Sequence, residues 1–395
     1  MQKKLLALAV AGALAPAAAM AQQSTVEIYG RANLGLDSWK ATGATAGGNF
    51  DFKRRTRVYD GSSRVGFRVN ESLGGGMRAF VVIETGINID RGDGNGQSGG
   101  PNASTGTWAS RDSYVGLGGG WGDVRFGRQS VWWSNGVIAQ TGANYINTAV
   151  DGLINDPGLL AIPSARTSNV VSYNTPTFGG FNASLSYAPN SENAPPPPAA
   201  GSEADAKILG VTGRYTSGAL RAQFDWGKNE GAGPAPATGI TENTGIKLGV
   251  GWAYAPGSQV SAIVGRLEND NVAASTLGGL PFTVAGDDLK QNFWLLNWEH
   301  MIGPWQILAQ YYQSAKVKGL ADDSNTRAKG FTFGGKYFLS KRTGVYVSYS
   351  TVRNEDRSWA DMSGGGMSSA AAGGIGSGSA GADVKLWAVG LMHNF

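Results

Sequence analysis

The chain of 395 residues has no cysteine, two histidines and only 16% charged residues. Without cysteine there is no disulfide framework and no thiolate metal site. After residue 21 no apolar run reaches the ~20 residues that a helix needs to span a bilayer. The richest stretch, 293–298, is broken by Asn297 and flanked by charge. Cationic excess is also small: the formal net charge is +4. A nucleic-acid binder would gather its cations on one face; the dense run here is short, Lys53, Arg54, Arg55 and Arg57. What is abundant is glycine, with 61 residues. The glycines have no three-residue period, which excludes collagen, and 10% aromatics argue against disorder.

Residues 1–21 have the form of a secretory signal peptide. Lys3 and Lys4 precede an apolar run, and Ala19-Met20-Ala21 is a small-x-small cleavage site. Pro16 argues against a buried helix. Removal deletes two lysines and no acid, lowering the formal charge from +4 to +2. An exported, cysteine-free chain belongs in the periplasm, the outer membrane or the medium.

From residue 22 to 395 the dominant pattern is period-two alternation. Val26, Ile28, Leu34 and Leu36 alternate with Glu27, Tyr29, Asn33 and Asp37; Leu220, Ala222, Phe224 and Trp226 alternate with Arg221, Gln223 and Asp225. A strand sends successive side chains to opposite faces, so each segment has one apolar and one polar wall. Sixteen strands are predicted, at 26–38, 61–71, 77–86, 108–117, 122–130, 168–175, 181–187, 206–216, 219–227, 244–254, 259–267, 289–301, 305–315, 328–339, 343–353 and 383–395. Tight glycine-rich turns alternate with long polar connections, among them 40–57, 87–107, 132–165, 268–288 and 354–382. An even strand number with long loops at one rim and short turns at the other is the pattern of an all-β, antiparallel transmembrane β-barrel. A soluble β-sandwich would also alternate, but its loops need not alternate in length. Aromatics near segment ends, including Trp39, Tyr187, Trp226, Tyr254, Trp298, Trp305, Tyr337 and Trp387, fit a membrane–water boundary.

Several stretches resemble the Gram-negative trimeric general porins, above all those of β-proteobacteria. They are Val26-Glu27-Ile28-Tyr29-Gly30, Ser63-Arg64-Val65-Gly66-Phe67 with the turn at Leu73-Gly74-Gly75-Gly76, the segments 111–117 and 122–128, and the terminal Phe395. In this order they run the length of the mature chain. The resemblance implies a 16-stranded homotrimeric pore in the outer membrane, with its third long loop folded inward to constrict the lumen. It implies no cofactor, outer-membrane lipid and lipopolysaccharide as surroundings, and the barrel-insertion machinery as reader of Phe395. The family's basic wall maps onto Arg31, Arg64, Arg111 and Arg166. Strand parity independently puts Arg31, Arg64 and Arg166 on the polar face, with Arg68, Arg78 and Arg125 on that face of their own strands; it puts Arg111 on the side of Val115 and Leu117. The acidic stretch of enteric members is absent from the third long connection, where Asp151 and Asp156 are the available carboxylates.

The expected function is passive diffusion of small hydrophilic solutes and ions, with a preference for anions. The basic lumen set, extended by Arg214, Arg221, Lys247 and Lys336, faces fewer acids: Glu27, Asp37, Glu84, Asp225 and Glu299. A channel specialised for one anionic nutrient has the same pattern. A barrel hydrolase is the rival class, but it needs a base set on a nucleophile, and only His300 and His393 exist. Asp90, Asp93 and Asn95 could supply oxygen ligands to Ca²⁺, but a solvated loop is the better explanation of them. The GxGxxG match at 376–381 lacks the strand and helix that would make it a nucleotide site.

Overall fold

The computed structural model of the protein describes residues 24–45, 51–90, 108–132, 150–154, 160, 162–163, 166–189, 207–230, 242–272, 275–277, 280–283, 286–360, 362 and 380–395. Its strands are β1 (Thr25–Thr42), β2 (Phe52–Asp60), β3 (Arg64–Gly74), β4 (Met77–Gly86), β5 (Ser113–Gly119), β6 (Gly122–Ser130), β7 (Arg166–Asn174), β8 (Phe181–Pro189), β9 (Lys207–Ser217), β10 (Leu220–Glu230) and β11 (Glu242–Ala255). They continue with β12 (Ser258–Val272), β13 (Ser275–Leu277), β14 (Leu280–Thr283), β15 (Asp287–Ile302), β16 (Trp305–Ser314), β17 (Ala328–Phe338), β18 (Thr343–Asn354) and β19 (Asp383–Asn394). All but β13 and β14 join one antiparallel sheet, and β1 pairs with β19 to close it. β1 pairs with β2 along Leu34–Ala41 and with β3 along Thr25–Arg31, so β2 and β3 are two halves of one stave. The wall therefore has sixteen staves.

Two strand starts differ most from those predicted, and β1, β10 and β12 run on to Thr42, Glu230 and Val272 rather than to 38, 227 and 267. The second stave begins at Phe52 rather than 61, because charge at Lys53, Arg54 and Arg55 reads as loop in a pattern tuned to apolar residues. It breaks at Gly61–Ser63, where Ser62 takes a φ of 64°. Side chains replace the ladder there: Asn33 Nδ2 donates to Gly61 O at 2.9 Å, Ser63 Oγ accepts from Asn33 N at 2.9 Å, and Asp60 Oδ1 accepts from Ser63 N at 2.6 Å. β5 starts at Ser113 rather than 108, since Ala109 lies at φ 62° and Arg111 sits in a bend. β13 and β14 form a small hairpin inside the predicted 268–288 connection.

Burial is inverted relative to a soluble protein. Val26, Ile28, Leu36, Val115, Leu117, Leu248, Val264 and Val389 are exposed on the outer face. Asn33, Asp37, Gln223, Asp225, Asn297, Glu299, Gln310 and Ser348 are buried on the inner one. The outer aromatics gather toward the rims, with Trp305 against Tyr337 at 4.8 Å, Tyr349 against Trp387 at 4.6 Å and Phe181 against Tyr215 at 4.2 Å between ring centroids. Trp39 departs from this. It shares the parity of Asp37, faces inward and is only 2% exposed.

One arc of the inner wall is apolar: Ile263, Leu267, Phe293, Leu295, Leu308 and Tyr312 on β12, β15 and β16 are buried there. Trp132, Val150, Leu153, Ile154 and Leu160 of the β6–β7 connection join the cluster on this side, while Val131 packs with Val170, Ala188 and Ile208. Val150, Leu153 and Ile154, in the 3-10 turn Val150–Ile154, lie beside β15 to β18 and join the same cluster. Val150 N donates to Thr332 Oγ1 at 3.0 Å. Glycines on the inner face make the room. A Cβ on Gly330 would meet Val150 at 2.7 Å, one on Gly227 would meet Trp132 at 2.8 Å, and one on Gly210 would meet Val131 at 2.3 Å. Lys247, wholly buried on β11, donates Nζ to Trp132 O at 2.8 Å and lies 4.0 Å from the centre of its ring.

Inner glycines also seat the wall's own aromatics. A Cβ on Gly116 would come within 2.3 Å of the Phe80 ring, which lies across it from the paired position on β4. Gly116→Val is therefore expected to lower the temperature at which the folded barrel loses its compact electrophoretic mobility, in line with the ~1–3 kcal/mol typical of overpacking. Gly213→Val, at a position where a Cβ meets nothing within 4 Å, serves as the matched control and should leave that temperature in place.

Candidate pore constriction

The basic cluster is built by register. Arg31 on β1 stands directly opposite Arg64 at the start of β3, and both face inward. Like charges opposite one another repel, so the pair needs an acid nearby. Glu84 supplies it from β4, where it pairs with Gly66. Its Oε2 accepts from Tyr29 OH at 3.1 Å and lies 3.8 Å from Arg64 Nε, while its Oε1 takes the Nε of Arg111. The Arg111 backbone N also donates to Glu84 O at 3.0 Å. Arg31 Nε donates to Asn394 Oδ1 at 3.2 Å, across the seam with β19. Next to Arg111, Asp112 Oδ1 lies 3.4 Å from Arg166 Nε and accepts from Ser130 N at 2.7 Å. Arg31, Arg64 and Arg111 lie in one another's electrostatic field, as do Arg111 and Arg166. Guanidinium suits such a site: it stays charged and offers five donors in a fixed plane, so one carboxylate can brace two of them.

A second basic group lies nearer the tight turns. Arg68 Nη1 pairs with Glu27 Oε2 at 2.7 Å. Arg125 grips Asp123 through Nε at 2.7 Å and Nη2 at 3.2 Å, and Arg78 Nη2 lies 4.0 Å from the same carboxylate. Toward the long connections, Arg57 Nε pairs with Asp37 at 3.0 Å. On the far side of the barrel Glu299 is held by neutral amides, accepting from Gln306 at 3.2 Å, Asn297 at 3.3 Å and Gln259 at 3.4 Å.

Arg31, Arg64, Arg111 and Arg166 thus come together, and Arg68, Arg78 and Arg125 form the adjoining group. Alternation misplaces Arg111, because a residue in a bend before the strand obeys no strand parity; Glu84 draws it into the cluster. The acid set is also larger than the one read from parity, since Asp112 and Asp123 belong to it. Asp123 shares the parity of Arg125 two residues on, so that signal was present; Asp112 stands outside a strand and gave none. Arg128, with Nε on Ser110 O at 3.0 Å and Nη1 on Ser168 Oγ at 3.0 Å, follows a bulge at Gly127 that alternation cannot foresee. The side chain of Asp151, all of Asp156, Asp93, Asn95 and residues 376–379 lie outside the described residues.

Both histidines belong to the outer aromatic rim. His300 Nδ1 is 2.9 Å from Tyr254 OH, and its ring stacks on Trp298 at 5.9 Å. His393 Nδ1 is 2.9 Å from Thr343 Oγ1 and stacks near Phe395 at 6.4 Å.

A closed sheet that is apolar outside and polar inside, with a guanidinium cluster on its inner wall, defines a transmembrane β-barrel channel. The chain belongs to the Gram-negative porin family, whose model matches residues 7–357. It is similar to outer membrane porin protein 32 of Delftia acidovorans, 27% identical over 404 residues and covering 100% of both chains. It is also similar to the major outer membrane protein P.IB of Neisseria lactamica, 26% identical over 362 residues, covering 88% of this chain and 92% of that one. Among solved structures, the anion-selective porin from Comamonas acidovorans superposes with a TM-score of 0.71 at 22% identity, over 94% of this chain and 100% of that one. The protein is an outer-membrane porin; the family are channels rather than enzymes, which removes the hydrolase reading.

Glu84 is the brace of the cluster. Glu84→Gln keeps a hydrogen-bonding side chain and deletes the charge, so the anion-over-cation permeability ratio is expected to rise by roughly twofold in a bilayer salt gradient. A fall in that ratio would mean that Glu84 does not offset the arginines.

Proposed function

We propose that the channel passes small hydrophilic solutes and ions by passive diffusion with a modest preference for anions. Arg31, Arg64, Arg111 and Arg166 form the narrow zone, and Arg68, Arg78 and Arg125 extend it toward the tight turns. The observation that carries this reading is the sharing of one carboxylate, Glu84, by Arg64, Arg111 and the Tyr29 hydroxyl beside Arg31. A cationic wall in a water-filled passage concentrates anions and repels cations. Screening falls off over about 8 Å at physiological ionic strength, so selectivity fades as salt rises. In this reading the third long connection also narrows the lumen, which the packing of Val150, Leu153 and Ile154 on the apolar arc supports.

In the same reading residues 1–21 are a signal peptide removed on export, leaving 22–395 as the barrel. The working unit is a homotrimer in outer-membrane lipid and lipopolysaccharide; the trimer form of a structural neighbour, OmpT of Vibrio cholerae, agrees with this. Phe395 is read by the barrel-insertion machinery. Its position supports a second role: Phe395 N donates to Gly30 O at 3.1 Å, Gly30 N donates to Phe395 O at 3.0 Å, and the ring covers Gly30 at the closing seam.

The test of selectivity replaces Arg64 and Arg166 with glutamine and records reversal potentials in a salt gradient. A shift toward cations is expected; an unchanged potential, or a wild type that already prefers cations, overturns the basic constriction. For the terminus, deletion of Phe395 should reduce the folded, surface-accessible protein severalfold, and normal surface levels would refute its assembly role.

A further inference from the structure

The second basic group has a feature that charge alone does not require. Each of its guanidinium groups lies over an aromatic ring of the inner wall: Arg68 Cζ is 4.6 Å from the centre of the Tyr29 ring, Arg78 Cζ 4.7 Å from that of Phe80, and Arg125 Cζ 5.1 Å from that of Tyr114. Glycines fix the rings from behind. A Cβ on Gly66 would meet the Tyr29 ring at 2.4 Å, and one on Gly116 would meet Phe80 at 2.3 Å. The order from the wall inward is therefore glycine, ring, guanidinium. The side chains of Arg68 and Arg78 are 44% and 50% exposed, so the guanidinium faces turned away from the rings meet lumen water. Their edges are only partly engaged: Arg68 uses Nη1 on Glu27, and Arg78 reaches Asn70 Oδ1 at 3.3 Å and Asp123 at 4.0 Å. A guanidinium has five N–H donors in its plane and two faces that stack on π systems.

Resting on the reading of the lumen as an anion path, we propose that this station is a binding site for small aromatic carboxylates. The solute ring stacks on the free face of the Arg68 or Arg78 guanidinium, which is then held between two rings, while the carboxylate takes N–H donors at the edge. An aliphatic carboxylate of equal charge and similar size has the edge contacts and lacks the stacking. The site lies between the constriction and the tight turns. Arg78 is six residues from Glu84 along β4, roughly 20 Å at about 3.4 Å per residue.

The experiment compares benzoate with cyclohexanecarboxylate as blockers of chloride current through the full-length protein in planar bilayers. In the wild type, benzoate should reach half-block at a concentration roughly three- to tenfold lower, the range expected of a partly exposed cation–π contact. In Arg68→Lys/Arg78→Lys the charge number stays and the planar stacking faces go, so the ratio of the two half-block concentrations should fall well below that of the wild type. Phe80→Leu, which removes the ring beneath Arg78, should lower the ratio in the same sense and provides a second route if the double variant does not insert. Equal block by both acids in the wild type overturns the proposal, as does a ratio that survives in Arg68→Lys/Arg78→Lys. The pore reading fails by a separate measurement, the absence of chloride current or a reversal potential that favours cations.

Discussion

Hydrocarbon offers no hydrogen-bond partner, so every backbone N–H and C=O within the membrane must find one in the protein. A sheet meets that demand only by closing on itself, and the rest of this structure follows from closure. β1 has to serve two neighbours, so it runs the full height and pairs with β19 on one side and with β2 and β3 on the other. Where the second stave breaks at Gly61–Ser63, Asn33, Asp60 and Ser63 take over the bonding with side chains. At the end of the chain, Phe395 returns both of its backbone groups to Gly30, which closes the seam to the last residue.

Closure also turns the usual burial rule around, and glycine is the consequence. Five inward-facing glycines, Gly35, Gly66, Gly116, Gly265 and Gly390, stand directly opposite Tyr59, Tyr29, Phe80, Phe293 and Tyr346 in the register. In each case a Cβ on the glycine would meet the paired ring at 2.3–2.6 Å. A ring laid on a glycine occupies little of the lumen's radius, whereas the same ring beside a larger residue would stand out into the passage. Gly210, Gly227, Gly245 and Gly330 do the corresponding job for the β6–β7 connection, giving Val131, Trp132, Pro163 and Val150 a recess on the wall. Glycine content that looked like turn material is in good part the inner surface of the pore.

Alternation is an effect of backbone geometry, so whatever obeyed that geometry was legible: the stave number, the tight turns and the inward facing of Arg31, Arg64, Arg68, Arg78 and Arg125. What the geometry does not govern was hidden. Arg111 and Asp112 sit in a bend, and their place is set by Glu84 and Ser130 across the sheet. Asn169, at φ 60°, and Gly127, at φ 142°, form an irregularity that resets parity around Arg128 and Arg166. Trp39 resembles a membrane-boundary aromatic in composition, yet its odd number, shared with Asp37, already placed it inside. The segment 293–298 gave the most ambiguous signal because it is apolar on both faces, Trp294, Leu296 and Trp298 outward and Phe293 and Leu295 inward. That double-sided character marks the strand on which the lumen's own contents pack.

The two arcs of the lumen then define each other. Strand order puts the apolar patch of β12, β15 and β16 about half the circumference from β1, β3, β4 and β5. Among the described residues, chain packs on the apolar patch and leaves the opposite wall uncovered, and that wall carries the guanidiniums. A charge displaced to the covered arc would face protein instead of water, and burial of that kind demands a partner, as Lys247 shows with Trp132 O and Asp225. The arginines escape that demand only in part. Register sets Arg31 against Arg64, so Glu84 and Asp112 are needed to hold the cluster together, and each carboxylate that stabilises the wall also subtracts from its field. Selectivity in such a pore is therefore bounded by its own stability: the wall can be no more cationic than its bracing acids allow.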